Sequence, residues 1–117
     1  MHPQIGERAF QQHILQVAKL NRLDVFCVMD TRTPAVRTYR GWPALVVFMP
    51  TGLVFAELKK EKGRTSAHQK QCLSWLHSRG YTACLWRPSM WRDICDFLEG
   101  REARPPGQWE ELPDDGE

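Results

Sequence analysis

The stretch that most limits what this chain can fold into is Gly41 to Lys59, GWPALVVFMPTGLVFAELK. Ala44 to Phe48 and Leu53 to Lys59 are apolar, β-branched and aromatic runs of strand length on either side of Pro50-Thr51-Gly52. That pattern predicts a hairpin turning on those three residues. Side chains two apart on a strand share a face, so Glu57 and Lys59 leave together while Leu58 goes to the other side. A carboxylate and an ammonium therefore stand together at the end of a mostly buried strand, where charge is paired, solvated or acting on something.

The rest of the chain supplies partners for that hairpin. Phe10, Ile14 and Val17 recur at helical spacing within residues 6–20, and Asn21 suits the C-cap. Glu7 precedes Phe10 by three and so rides on the apolar stripe; an acidic residue in a first turn also favours the helix dipole, which is reason enough for it to be there. Val25 to Met29 reads as a strand. Residues 30–40, DTRTPAVRTYR, are too polar for a core element. Arg32, Arg37 and Arg40 around Tyr39 suit phosphate contact with base stacking, or an ordinary solvated loop. Lys60, Lys62 and Arg64 form a second basic turn directly after Lys59.

Ser66 and Gln69 make an S-x-x-Q capping box, which gives Gln69 a structural role; its place on the inward stripe with Cys72, Leu73 and Leu76 leaves a functional one open. Gly80 ends that helix. Tyr81 to Trp86 is the next strand, and Ser89 caps a last helix with Trp91, Ile94, Phe97 and Leu98 inward. The order is αβββαβα, an α/β fold with a mixed sheet flanked by helices, in which ligands bind at strand ends.

At 117 residues there is room for one domain that buries about two-thirds of its unfolded surface. It is expected over residues 1–100, with 101–117 an acidic, disordered tail. Trp109 in that tail has the alternative of docking on the body. Residues 1–100 carry 14 Lys+Arg against 8 Asp+Glu, and the tail 2 against 6, so the body is basic and suits an anionic partner. Cys27, Cys72, Cys84 and Cys95 lack metal-ligand spacing and read as small hydrophobes in a reducing compartment. No run is long enough to span a membrane, which leads to the expectation of a soluble, intracellular protein.

Glu7, the strand opening Gly41-Trp42-Pro43, Glu57-x-Lys59, the run FAELKKEKGR, the Gln69 helix and WRPS at 86–89 together resemble the virus-type replication-repair nuclease (VRR-NUC) domain of the PD-(D/E)xK nuclease superfamily. The likeness covers about residues 5–98. It implies a restriction-endonuclease-like core and a divalent-metal-dependent endonuclease, with Mg²⁺ or Mn²⁺ as cofactor. Its substrate would be DNA, branched or otherwise structured, cut by a homodimer; a phage-encoded member would work in the host cytoplasm. By the same resemblance Glu57 and Glu7 bind metal, Lys59 orients or deprotonates the attacking water and offsets transition-state charge, and Gln69 positions the site. Lys60, Lys62 and Arg64, with Arg32, Arg37 and Arg40, are the expected DNA contacts.

One position departs from the family pattern. Gly-x-Pro is normally followed by a metal-binding Asp, and here that position is Ala44. A methyl binds no metal, so this chain is expected to cleave weakly or not at all, whether the change is engineered or belongs to a natural member that has lost or rebuilt its centre. The alternative to a nuclease is a non-catalytic nucleic-acid-binding module that keeps the fold. A third reading makes Glu57 and Lys59 a self-satisfied surface pair in a structural protein.

Overall fold

A computed structural model of the chain describes residues 1–27 and 41–110. The elements follow the order α1 (Glu7–Leu20), β1 (Asp24–Cys27), β2 (Leu45–Met49), β3 (Gly52–Leu58), α2 (Ala67–Ser78), β4 (Thr82–Trp86) and α3 (Trp91–Leu98), matching αβββαβα. One mixed sheet runs β1-β2-β3-β4, antiparallel across its first two interfaces and parallel between β3 and β4. The parallel pair requires a crossover, and α2 supplies it.

Alternation along the strands divides the core into two layers. Leu45 and Val47 of β2 and Val54, Ala56 and Leu58 of β3 face α1 and α3, meeting Phe10, Ile14, Ile94, Phe97 and Leu98. Val46 and Phe55 point the other way, onto Cys72, Leu73 and Leu76 of α2. Each such aliphatic or aromatic side chain removed from water contributes about 1.5–3 kcal/mol. Since α2 covers only part of its face, Phe26, Phe48 and Leu53 remain exposed there. Val17, expected on the buried stripe of α1, is half-buried, and Ala18 takes the inner position.

The hairpin turn is shorter than the sequence suggests. Met49 pairs with Gly52, so Pro50 and Thr51 alone form the loop and Gly52 opens β3. This register pairs Leu45 with Ala56 and Val46 with Phe55; a three-residue turn would have set Leu45 across from Glu57. A one-residue change of register exchanges the faces of an entire strand, so the short loop decides which residues of β2 and β3 stand opposite each other.

The helix ends use the expected residues in most places. The Asn21 side-chain amide donates to the Val17 carbonyl at 2.8 Å, and Gly80 at φ +84° follows α2. Ser89 does not cap α3, which starts from Met90 with no side-chain cap; Ser89 lies in a 3₁₀ turn at Pro88–Met90. The strand expected at Val25 to Met29 starts one residue earlier, and the part beyond Cys27 lies outside the described residues. So do Arg32, Arg37, Tyr39 and Arg40.

The body does not stop at Gly100. Residues 106–109 lie along the outer edge of β4: the Leu85 N–H donates to Gly107 O at 2.9 Å and the Trp109 N–H to Ala83 O at 2.7 Å. The indole N–H of Trp86 reaches Pro106 O at 2.9 Å, and that of Trp109 reaches Ser74 Oγ at 2.9 Å. A Cβ on Gly107 would stand 2.3 Å from Leu85 O, so the strap approaches as closely as it does only because that residue is glycine. The expectation of disorder from Arg101 onward is thus corrected for the segment through Trp109. An acidic, proline-rich composition conceals three apolar or hydrogen-bonding anchors, and residues 111–117 lie outside the described part.

None of the four cysteines forms a disulfide; burial pushes the Cys84 thiol up to about 12, which suits a small core residue. Among the described residues no helix is long and apolar enough to cross a membrane.

Candidate active site

Glu57 sits one residue before the end of β3, on the face that carries Phe55. It is the only buried charged side chain among the described residues, with 4% of its surface exposed. Its Oε1 accepts the Leu58 N–H at 3.0 Å, while Oε2 is buried with no hydrogen-bond partner. Burial pushes its carboxyl up to about 7. The Leu58 N–H and the Lys59 ammonium pull it down, the Glu7 carboxylate pushes it up, and the Ala44 backbone N–H pulls it down slightly. An orphaned buried carboxylate oxygen costs several kcal/mol unless something compensates it, so this one calls for a proton or a cation.

The surrounding groups are those that the motifs singled out. Lys59 follows directly, half-buried, with its N–H donating to Trp86 O at 3.1 Å and so prolonging the β3–β4 pairing by one residue. Glu7 stands in the first turn of α1, exposed rather than buried as its stripe suggested. Its charge adds to the upward push on the Glu57 carboxyl, although α1 and Glu57 belong to opposite faces of the sheet. Ala44 forms a bend just ahead of β2, its backbone N–H acting on the Glu57 carboxyl and its methyl packed with the α1–α3 layer. Among the described residues no three His, Cys, Asp or Glu side chains converge in a way that could hold a metal.

Comparison with solved structures returns one described as "VRR_NUC domain", which superposes with a TM-score of 0.62 at 20% identity, over 82% of this chain and 97% of that one. The fold is that of a VRR_NUC domain. No family model and no curated protein sequence matches the chain, so the likeness is carried by backbone topology. Its four-stranded mixed sheet flanked by helices is consistent with a restriction-endonuclease-like core.

Within this VRR_NUC fold the remaining candidate residues take definite places. Gln69 forms both halves of the capping box: its N–H donates to Ser66 Oγ at 3.1 Å, and its Oε1 accepts the Ser66 N–H at 2.9 Å. The side-chain oxygen is thereby committed to α2. Gly41, at φ +85°, passes under that same helix end, and a Cβ there would lie 2.4 Å from both the carbon and the oxygen of the His68 carbonyl. The glycine of Gly41-Trp42-Pro43 is therefore needed for the chain to pass this close to the start of α2 on its way into β2. Lys60, Lys62 and Arg64 are exposed, and a cleft of about 240 Å³ separates Lys60, Glu61 and Lys62 from Pro3, Gln4 and Ile5 just ahead of α1.

Two features were missed by sequence reasoning. Arg87 and Glu61 tie the basic turn to the loop after β4; arginine in a WRPS run gives no hint that its targets are backbone carbonyls 24 to 27 residues earlier. Trp42, Phe55 and Tyr81 form edge-to-face pairs with ring centres 5.8 Å apart. Only knowledge of strand order reveals that row.

The motif resemblance implies a divalent metal, and the described residues do not complete a site for one. Mg²⁺ and Mn²⁺ favour several hard oxygen ligands held from separate elements. Glu57 Oε2 and Glu7 supply carboxylate oxygen, but position 44, whose backbone touches the Glu57 carboxyl, carries only a methyl. The donor set is one carboxylate short.

Proposed function

We propose that this chain is a DNA endonuclease domain whose cleavage is suppressed by Ala44. The observation that carries the proposal is a buried Glu57 with one unpartnered oxygen, whose carboxyl is touched by the Ala44 backbone N–H just ahead of β2: an acidic side chain at position 44 would bring a second carboxylate to this strand end, with Glu7 as the third. A divalent metal bound to such a group would supply Lewis acidity and lower the pKa of a bound water. Lys59, at the strand end beside Glu57, places fixed positive charge where phosphoryl oxygens gain negative charge. Gln69 closes the cap at the start of α2, against which Gly41 packs. Lys60, Lys62 and Arg64, with Arg32, Arg37 and Arg40, take the phosphate backbone of DNA.

Contacts to phosphate rather than to base edges favour recognition by shape, so branched or otherwise structured DNA is the proposed substrate, cut at two strands by a homodimer. The test is cleavage of labelled single-stranded, duplex, flap and four-way DNAs by the present chain and by Ala44→Asp, with Mg²⁺, with Mn²⁺ and with chelator. The expected result is metal-dependent cleavage by Ala44→Asp alone, strongest on a branched DNA. Equal activity of the two chains removes Ala44 from the mechanism.

The incomplete donor set also favours a second reading, a DNA-binding module that no longer cleaves. It predicts that Ala44→Asp binds DNA as the present chain does and remains inactive with every metal.

A further inference from the structure

The turn that follows Glu57 and Lys59 is gripped by the loop after β4. Arg87 Nη1 lies 3.0 Å from the Lys60 carbonyl oxygen, 3.1 Å from that of Glu61 and 2.7 Å from that of Gly63. Glu61 returns the contact, its Oε2 accepting the Ser89 N–H at 2.9 Å. The Gly63 N–H closes the turn onto Lys60 O at 2.9 Å. The Ser89 hydroxyl and N–H, with a smaller contribution from Arg87, hold the Glu61 carboxyl below its usual range.

Lys59, Lys60, Lys62 and Arg64 crowd four cations into six residues, and their repulsion favours an open, fluctuating loop. The grip from Arg87 opposes that without neutralising any of them, because its Nη1 is committed to main-chain oxygens while Lys60, Lys62 and Arg64 stay exposed. Arginine suits the task, since the two hydrogens of Nη1 are shared among the three carbonyl oxygens and the group stays charged throughout the accessible pH range.

We infer that Arg87 is a positioning residue for nucleic acid: it fixes the Lys60–Arg64 turn in the shape in which those cations meet the phosphate backbone, and does not itself contact phosphate. This rests on the DNA-binding reading above. A turn ordered before binding spares the loss of conformational freedom that an unheld loop would suffer on the DNA.

Counterion release separates a phosphate ligand from a residue that holds one in place. The experiment measures binding of a labelled DNA duplex against salt for the unaltered chain, Arg87→Met, Arg87→Lys and Lys62→Ala, with amide hydrogen exchange at Gly63 and Ser89 in the free proteins. Arg87→Met is expected to bind about tenfold more weakly, with an unchanged slope of log affinity against log salt and faster exchange at both amides. Lys62→Ala is expected to lose about 0.9 of slope with exchange unchanged. Arg87→Lys keeps the charge and guards against a folding defect; it is expected to recover only part of the affinity.

A slope loss of about 0.9 in Arg87→Met with unchanged exchange would make Arg87 a phosphate ligand and overturn the inference. Full recovery by Arg87→Lys, or undiminished affinity despite faster exchange, would overturn it as well. Salt-independent binding by the unaltered chain would defeat the DNA reading and the positioning role together, and exchange at Gly63 and Ser89 would still report whether Arg87 grips the turn.

Discussion

The Ala44 backbone N–H acts on the Glu57 carboxyl, one step beyond the last pair of the β2–β3 ladder, Leu45 with Ala56. The Ala44 methyl packs with the α1–α3 layer, while Lys59 and Glu7 act by charge on the same buried carboxyl group.

Placing a second acid there has a consequence apart from cleavage. In chelator, Ala44→Asp adds a carboxylate beside one that is already buried, and a loss of about 1–2 kcal/mol is expected from repulsion and desolvation. Mn²⁺ should restore that loss and raise the melting temperature of Ala44→Asp by several degrees, while leaving the present chain almost unchanged. Thermal melts with and without Mn²⁺ check this, and an equal response of the two chains would count against a metal site at this position.

Glu57 makes stability depend on pH. Its folded carboxyl keeps a proton up to about 7, against the ordinary 4.5, so between those values the folded state binds more protons than the unfolded one. Stability in chelator should therefore fall as pH rises from about 4.5 to about 7 and level off above, by an amount of order 3 kcal/mol if nothing else titrates. Glu57→Gln should flatten the profile and be the more stable chain at pH 8. Urea unfolding at pH 5, 6, 7 and 8 decides it.

Gly41 and Gly80 share nearly the same backbone angle, φ +85° and +84°, but only Gly41 is crowded by the start of α2. Gly80→Ala should cost about 1 kcal/mol, from backbone strain alone. Gly41→Ala should cost at least about 2 kcal/mol more, because its Cβ meets main-chain atoms that do not yield cheaply. The difference between their urea midpoints isolates the steric part.

The strap at residues 106–109 covers the edge of β4. Trp109→Ala removes a half-buried ring and leaves Ser74 Oγ without its indole partner, for an expected loss of about 2 kcal/mol. Truncation after Arg104 should go further, exposing an unpaired strand edge and producing concentration-dependent association in size-exclusion chromatography. A truncated chain that stays monomeric and equally stable would show the strap to be dispensable.

Much of this architecture is local and therefore legible in the amino-acid order. Apolar period, capping residues and turn glycines specify each element within a few neighbours, so α1, the hairpin, the Ser66–Gln69 cap and the order αβββαβα follow from the residues themselves. Glu57-x-Lys59 at a strand end was legible for the same reason. What depended on tertiary structure was everything that joins distant segments. The loop of two residues rather than three set Leu45 against Ala56, since register is a property of two strands and not of either one. Arg87 found the carbonyls of the basic turn, and Trp109 found β4, through contacts spanning 24 to 35 residues of chain. A composition that reads as disorder was ordered by a few well-placed donors and one glycine, because a backbone edge left unpaired by the sheet had hydrogen bonds to offer it.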